Sequence, residues 1–215
     1  MMNDDLLTIE AKIGGAYVRS KNAIGWRLLS SPVETLSEAE VAFIGLNPGG
    51  RVEEAGHSRF ATSAGSAYET ESWGNAPPGQ SALQRQVCAL FRRLRVKPAA
   101  VLSGNLVPFR SASWAALPDK QEALLLGRSI WSNILNMAKP RLIVGMSREV
   151  DKQLCGILGI KHGIRVPIGW GKATGSRSEY DSGFLIGLPH LSRFPVINRS
   201  ESEPGLSKLF RSDWY

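Results

Sequence analysis

Val41-Ala42-Phe43-Ile44-Gly45-Leu46-Asn47-Pro48-Gly49-Gly50 is the stretch on which the fold turns. Its apolar opening is too short for a helix and is stopped by Pro and two Gly, so it reads as a buried strand that ends in a turn. Three more runs of this kind follow. Residues 99–107 (Ala-Ala-Val-Leu-Ser-Gly-Asn-Leu-Val) end at Pro108, Leu142-Ile143-Val144-Gly145 follows Pro140, and Gly183-Phe184-Leu185-Ile186-Gly187-Leu188 ends at Pro189-His190. Between them lie helical periodicities. Leu83, Val87, Leu90, Phe91 and Leu94 share one face of residues 81–94, and Leu124, Leu125, Ile130, Trp131, Ile134 and Leu135 fall at helical spacing within 122–138.

Apolar strands alternating with helices predict an α/β class, a three-layer α/β/α sandwich around a central, mostly parallel four-stranded sheet. The chain of 215 residues, 43% hydrophobic, suits one domain over 1–215. Residues 1–38, with Trp26, Leu28 and Leu29, read as an N-terminal helical extension packed on it. The start lacks the basic-then-apolar layout of an export signal, and no run of about 18 apolar residues spans a bilayer, so a cytoplasmic location without membrane contact is expected. Cys88 and Cys155 are too few for a disulfide framework or a four-thiolate cluster and read as packing residues.

The formal charge of +7 is uneven. Residues 1–71 carry 6 Lys/Arg against 10 Asp/Glu, whereas residues 72–215 carry 20 against 9. A basic larger part suits a phosphate-backbone partner and equally a solvated surface. Arg92, Arg93, Arg95 and Lys97 read as such a solvated helix end.

Ligands of open parallel sheets bind at the carboxyl ends of the strands. Three loops leave that edge with polar residues: Asn47-Pro48-Gly49-Gly50, Asn105 to Arg110, and His190-Leu191-Ser192-Arg193-Phe194. Each has a plain structural counterpart, since Asn-Pro-Gly-Gly is an ordinary tight turn and Asn105 can satisfy backbone at a strand end. Their ordered set says more. Gly45-Leu46-Asn47-Pro48-Gly49 resembles the first signature of the mismatch-specific and single-strand-selective branches of the uracil-DNA glycosylase superfamily. Pro189-His190-Leu191-Ser192-Arg193-Phe194 is similar to its second, a His-Pro-Ser loop, and Ser103 to Arg110 is similar to the strand end that offers an Asn to the base.

The resemblance implies a monofunctional DNA glycosylase that hydrolyses the N-glycosidic bond of a flipped-out uracil or modified pyrimidine. It needs no metal and no cofactor, takes single- or double-stranded DNA as partner, and has no obligate protein partner. His190 would donate to the pyrimidine O2 while Asn47 and nearby backbone place the water. Asn105 would pair with the base edge, Gly45, Leu46, Pro48 and Gly49 would shape the pocket, and Phe60 would stack on the base, with Tyr68 and Trp73 as further aromatic candidates. Arg193 and Phe194 would enter DNA as the wedge with Ser192 as a further DNA contact, and Arg110 would meet a phosphate.

Departures carry information too. Gly49 stands where the most stringent uracil enzymes place a Tyr, implying a roomy pocket. Asn47 stands in place of their Asp, which directs attention to Glu53, Glu54 or Glu71 as a base, and Leu191 replaces a Pro. Two alternatives stay open: a defence glycosylase removing a bulky hypermodified cytosine from phage DNA, and a catalytically silent DNA binder on the same fold. His57 is ambiguous and His162 reads as structural.

Overall fold

The computed structural model describes residues 2–53 and 58–215. Its helices are α1 (Met2–Arg19), α2 (Thr35–Glu38), α3 (Ala67–Thr70), α4 (Ala82–Arg93), α5 (Lys120–Ala138), α6 (Arg148–Leu158) and α7 (Glu203–Phe210). Its strands are β1 (Val41–Gly45), β2 (Leu102–Asn105), β3 (Leu142–Met146), β4 (Ile164–Pro167), β5 (Thr174–Tyr180) and β6 (Gly183–Leu188), in the order β2-β1-β3-β6-β5-β4.

The four expected strands are mutually parallel neighbours, β2-β1-β3-β6. The four-stranded expectation is corrected by two further strands: β5 pairs antiparallel with β6 and β4 antiparallel with β5, giving a six-stranded mixed sheet. Sequence periodicity misses β5 because its buried residues are polar. Ser176, Arg177 and Ser178 are all buried; Arg177 lies over the Phe184 ring, 3.7 Å from its centroid, and donates to the Leu209 carbonyl at 2.6 Å.

Helices cover both faces, and the alternation along each strand sorts side chains between two cores. Ala42, Ile44, Ile143 and Leu185 face a core with Ile9 and Ile13 of α1, Trp131 and Ile134 of α5, and Leu154 of α6. Val41, Phe43, Val144 and Ile186 face the other, with Leu90 and Phe91 of α4 and Leu206 and Phe210 of α7. α4 starts on a capping box: the Ser81 hydroxyl accepts from the Gln84 N–H, and the Gln84 side chain accepts from the Ser81 N–H.

The N-terminal segment differs from the expected helical extension. α1 ends at Arg19, and the chain then runs antiparallel beside the β2 segment, with bridges Trp26 to Phe109 and Leu29 to Gly104. Backbone bonds from Asn105 N–H to Leu28 O and from Ser30 N–H to Ser103 O hold it there. Residues 59–62 line the other side of this segment through Leu28 N–H to Arg59 O and Leu29 N–H to Phe60 O. A buried ion pair locks the layer: both Arg27 terminal nitrogens reach the Glu71 carboxylate at 2.7 Å, with Arg27 6% exposed.

Gly127 permits α5 to lie close to this edge. A Cβ there would fall 2.2 Å from the Leu106 carbonyl oxygen. The close approach lets the Trp131 indole N–H donate to the Asn105 carbonyl at 2.8 Å. No helix among the described residues is long and apolar enough to cross a membrane.

Candidate active site

β2, β1, β3 and β6 end along one edge of the sheet, and Asn105, Asn47, Ser147 and His190 leave it there in that spatial order. Asn105 is the register partner of Gly45. Its Oδ1 would lie 2.8 Å from a Cβ built on Gly45, so the carboxamide occupies space that only a glycine leaves open. With its backbone held by Leu28 and Trp131, the half-buried Asn105 carboxamide makes no hydrogen bond to the described residues. A carboxamide without a protein partner keeps both its acceptor and its donors available to a ligand.

Asn47 is held differently. Its Nδ2 donates to Ser111 Oγ at 2.8 Å and to the Pro48 carbonyl at 3.1 Å, while the Ser111 hydroxyl donates to the Ser113 carbonyl at 2.8 Å. These bonds fix the amide plane and leave Oδ1 as an oriented acceptor. Ser111, which sequence reasoning missed, therefore sets the direction of Asn47. Leu46 and Pro48 are half-buried and Gly49 is exposed, with nothing among the described residues within 4 Å of a Cβ built on it.

His190 lies beyond Leu188 on the far side of β3, two inter-strand spacings or about 10 Å from the end of β1. Its Nδ1 is 2.9 Å from Ser192 Oγ, and its carbonyl accepts from the N–H groups of Arg193 and Phe194, which makes the loop a tight turn. Burial, with the Arg193 charge as a smaller contribution, lowers the imidazole pKa below 6.5. Both contributions favour the neutral ring. In the tautomer in which the Ser192 hydroxyl donates to Nδ1, the ring proton sits on Nε2 as a donor. Leu191, the departure from Pro, is fully buried in the second core and anchors the loop.

A cavity of about 660 Å³ opens beside His190, between the end of β6, the start of α6 and the residues joining β4 to β5. Its walls include Ser147, Asp151, Trp170 and Phe194, and it also takes in the cations Arg148, Arg165 and Lys172. Neither Asn47 nor Asn105 lines it. The structure thus brings the two carboxamides to neighbouring strand ends and sets His190 on the same edge, facing a cavity of its own. Apart from His190, Phe194 and the end of β6, the cavity residues escaped sequence reading because β4, β5 and α6 did; Val150, Leu154 and Leu158 before Gly159 were the signal for α6.

Other candidates sort by burial and partners. Phe60 is half-buried against the first core and joined to the β2 edge through Leu29. Tyr68 is corrected as a stacking candidate: it is 3% exposed and packs edge-on against Phe43 and Phe91. The half-buried Trp73 donates its indole N–H to Glu71 at 3.0 Å. Glu71 is committed to Arg27, and Glu53 pairs with Arg59 at 3.0 Å on the surface. Glu54 and His57 lie outside the described residues. Arg110 is corrected as a phosphate contact, because it is 9% exposed and folds against Gly50, a Cβ on which would meet its Nη2 at 2.6 Å. Phe194 is half-buried and meets Trp170 edge-on at 6.4 Å, so of the expected DNA contacts in this loop only Ser192 and Arg193 are exposed.

Among the described residues one set of side chains has metal-ligand spacing: Asp151, Cys155 and His162, with one ligand atom each within 4.8 Å of the others. Compared with known proteins, the chain matches no family model and no curated sequence.

Proposed function

We propose that the chain is a monofunctional DNA glycosylase with a uracil-DNA glycosylase-like sheet, acting in the cytoplasm on a pyrimidine flipped out of DNA. The observation that carries this reading is the Asn105 carboxamide, which stands over Gly45 without a partner among the described residues. A pyrimidine edge offers the donor and acceptor that such an amide lacks. Glycosidic cleavage builds positive charge on the sugar and negative charge on the leaving base. The neutral His190 supplies an Nε2–H to the developing anion, and the Asn47 Oδ1, oriented through Ser111, accepts from the attacking water. Neither group carries net charge, so the chemistry relies on positioning and hydrogen bonding rather than on a carboxylate base. Exposed Arg193, with Arg148, Arg165 and Lys172 around the cavity, gives the DNA backbone a cationic approach.

One observation favours a larger base as substrate: the space that the described residues leave open at Gly49. A pyrimidine with a bulky 5-substituent, such as a hypermodified cytosine of phage DNA, would find room there, and the role would then be defence. Strands containing uracil, a thymine mismatch, hydroxymethylcytosine or glucosylated cytosine separate the readings by which one becomes alkali-labile. Cleavage of the glucosylated strand that is lost in Gly49→Tyr, with any uracil release retained, supports the bulky-base reading. Release from the uracil strand alone refutes it. If no strand becomes labile although all bind, the glycosylase reading itself falls and the silent binder stands.

A further inference from the structure

α6 carries Asp151 and Cys155 one helical turn apart, so both side chains leave the same face. Gly159, left-handed at φ +67°, ends the helix and turns the chain back, and three residues later His162 returns to that face. His162 Nδ1 then lies 3.5 Å from Cys155 Sγ and 3.5 Å from Asp151 Oδ2. The local sequence, rather than a long-range contact, thus creates the cluster.

A Cys-His-Asp relay would place the thiol and the carboxylate on opposite ring nitrogens, the acid orienting one while the other takes the proton. Here both approach Nδ1, so no relay can run through the ring. Three different donors instead surround one point. For bonds of about 2.0 Å to nitrogen or oxygen and 2.3 Å to sulfur, a tetrahedral ion sets its N···S edge at about 3.6 Å and its N···O edge at about 3.3 Å. The two measured edges are each within a few tenths of an ångström of these values.

A second observation points the same way. The Asp151 side chain is 6% exposed, its Oδ1 has no hydrogen-bond partner, and no Lys or Arg among the described residues pairs with it. A carboxylate taken this far out of water without a cation is costly, and a bound dication offsets that cost directly. The His162 side chain, 47% exposed, leaves a way in for the ion.

We propose that Asp151, Cys155 and His162 form a metal site for a borderline-soft divalent cation, Zn²⁺ above all, that ties the end of α6 to the chain entering β4. Thiolate, imidazole and carboxylate together match the ligand set of a four-coordinate zinc ion with one position left to water. Asp151 also borders the cavity beside His190, but none of the three residues is assigned a part in base release, so the site stands apart from that reading.

Cobalt reports on it without any enzymatic assay. Chelator-treated full-length protein titrated with Co²⁺ should develop tetrahedral visible bands and a near-ultraviolet thiolate-to-cobalt charge-transfer band, saturating at one ion per chain and bleached by Zn²⁺. Cys155→Ser, nearly isosteric, should lose the charge-transfer band. The surface change His162→Ala should weaken binding by about a hundredfold or more, given that even residues behind the ligands are worth 10–100-fold. Circular dichroism of both variants without metal should match the parent, which separates ligand loss from misfolding. Absence of the bands in the parent, or cobalt binding of equal strength in parent and both variants, overturns the site.

Discussion

Replacing His190 with alanine should slow base release by about a hundred- to a thousandfold while leaving DNA affinity almost unchanged, because a donor aimed at developing charge contributes to the transition state and little to the ground state. The same loss should follow Asn47→Ala, through the water rather than the base. The pH profile carries the sign of the mechanism. Burial and Arg193 lower the His190 pKa, so the neutral, donating form persists below the ordinary imidazole value of 6.5. Single-turnover rates should therefore stay flat from pH 8 down to about 6.5 and fall only on further acidification. A rate that rises on acidification through that range would mean that an imidazolium is the donor. His190→Ala activity within twofold of the parent would remove His190 from the reaction.

The largest loss of stability should come from Glu71→Ala. Its carboxylate takes both terminal nitrogens of Arg27 at 2.7 Å and the Trp73 indole at 3.0 Å, and its backbone carbonyl accepts from the buried Gln84 at 2.7 Å. Truncation strands a guanidinium that is 6% exposed. Breaking a buried pair from one side costs about 3–5 kcal/mol, a large share of the roughly 5–15 kcal/mol that holds a domain together. For a chain of this length that corresponds to a drop in Tm on the order of 10 °C. Removing both charges, as in Arg27→Met with Glu71→Leu, should restore much of it, because no desolvated charge is then left alone. Calorimetry on the parent and the two variants checks this; a Tm shift below about 2 °C in Glu71→Ala would show that Arg27 finds other partners.

The parallel half of the sheet was legible because a strand covered on both faces must be apolar throughout, as Val41–Gly45 and Leu142–Met146 are. β5 was not, since Thr174–Tyr180 buries serines and an arginine whose partners, the Leu209 carbonyl and the Phe184 ring, lie far away in sequence or across the sheet. Without β5 and β4 the cavity beside His190 could not be foreseen. Residues 20–34 misled for a related reason. Trp26, Leu28 and Leu29 are apolar enough for a helix, but their backbone groups are taken by residues 59–62 and 103–109.

At the site, the positions of Asn47, Asn105 and His190 followed from strand ends alone. Their partners did not. The grip of Ser111 on Asn47 and the inward fold of Arg110 depend on how the 105–113 loop crosses the turn after β1, which no spacing rule encodes. The Asp151, Cys155 and His162 cluster was hidden in the same way, because it exists only once α6 ends at Gly159.

The central claim is that this edge of the sheet detaches a pyrimidine from its sugar. Mass spectrometry of the small molecules released from defined modified DNA tests it most directly. The account predicts a free pyrimidine base in stoichiometric amount with an abasic, unbroken strand, absent when Asn47→Ala or His190→Ala replaces the parent. A protein that binds the same DNA and liberates no base, or liberates it equally well in both variants, would contradict the account.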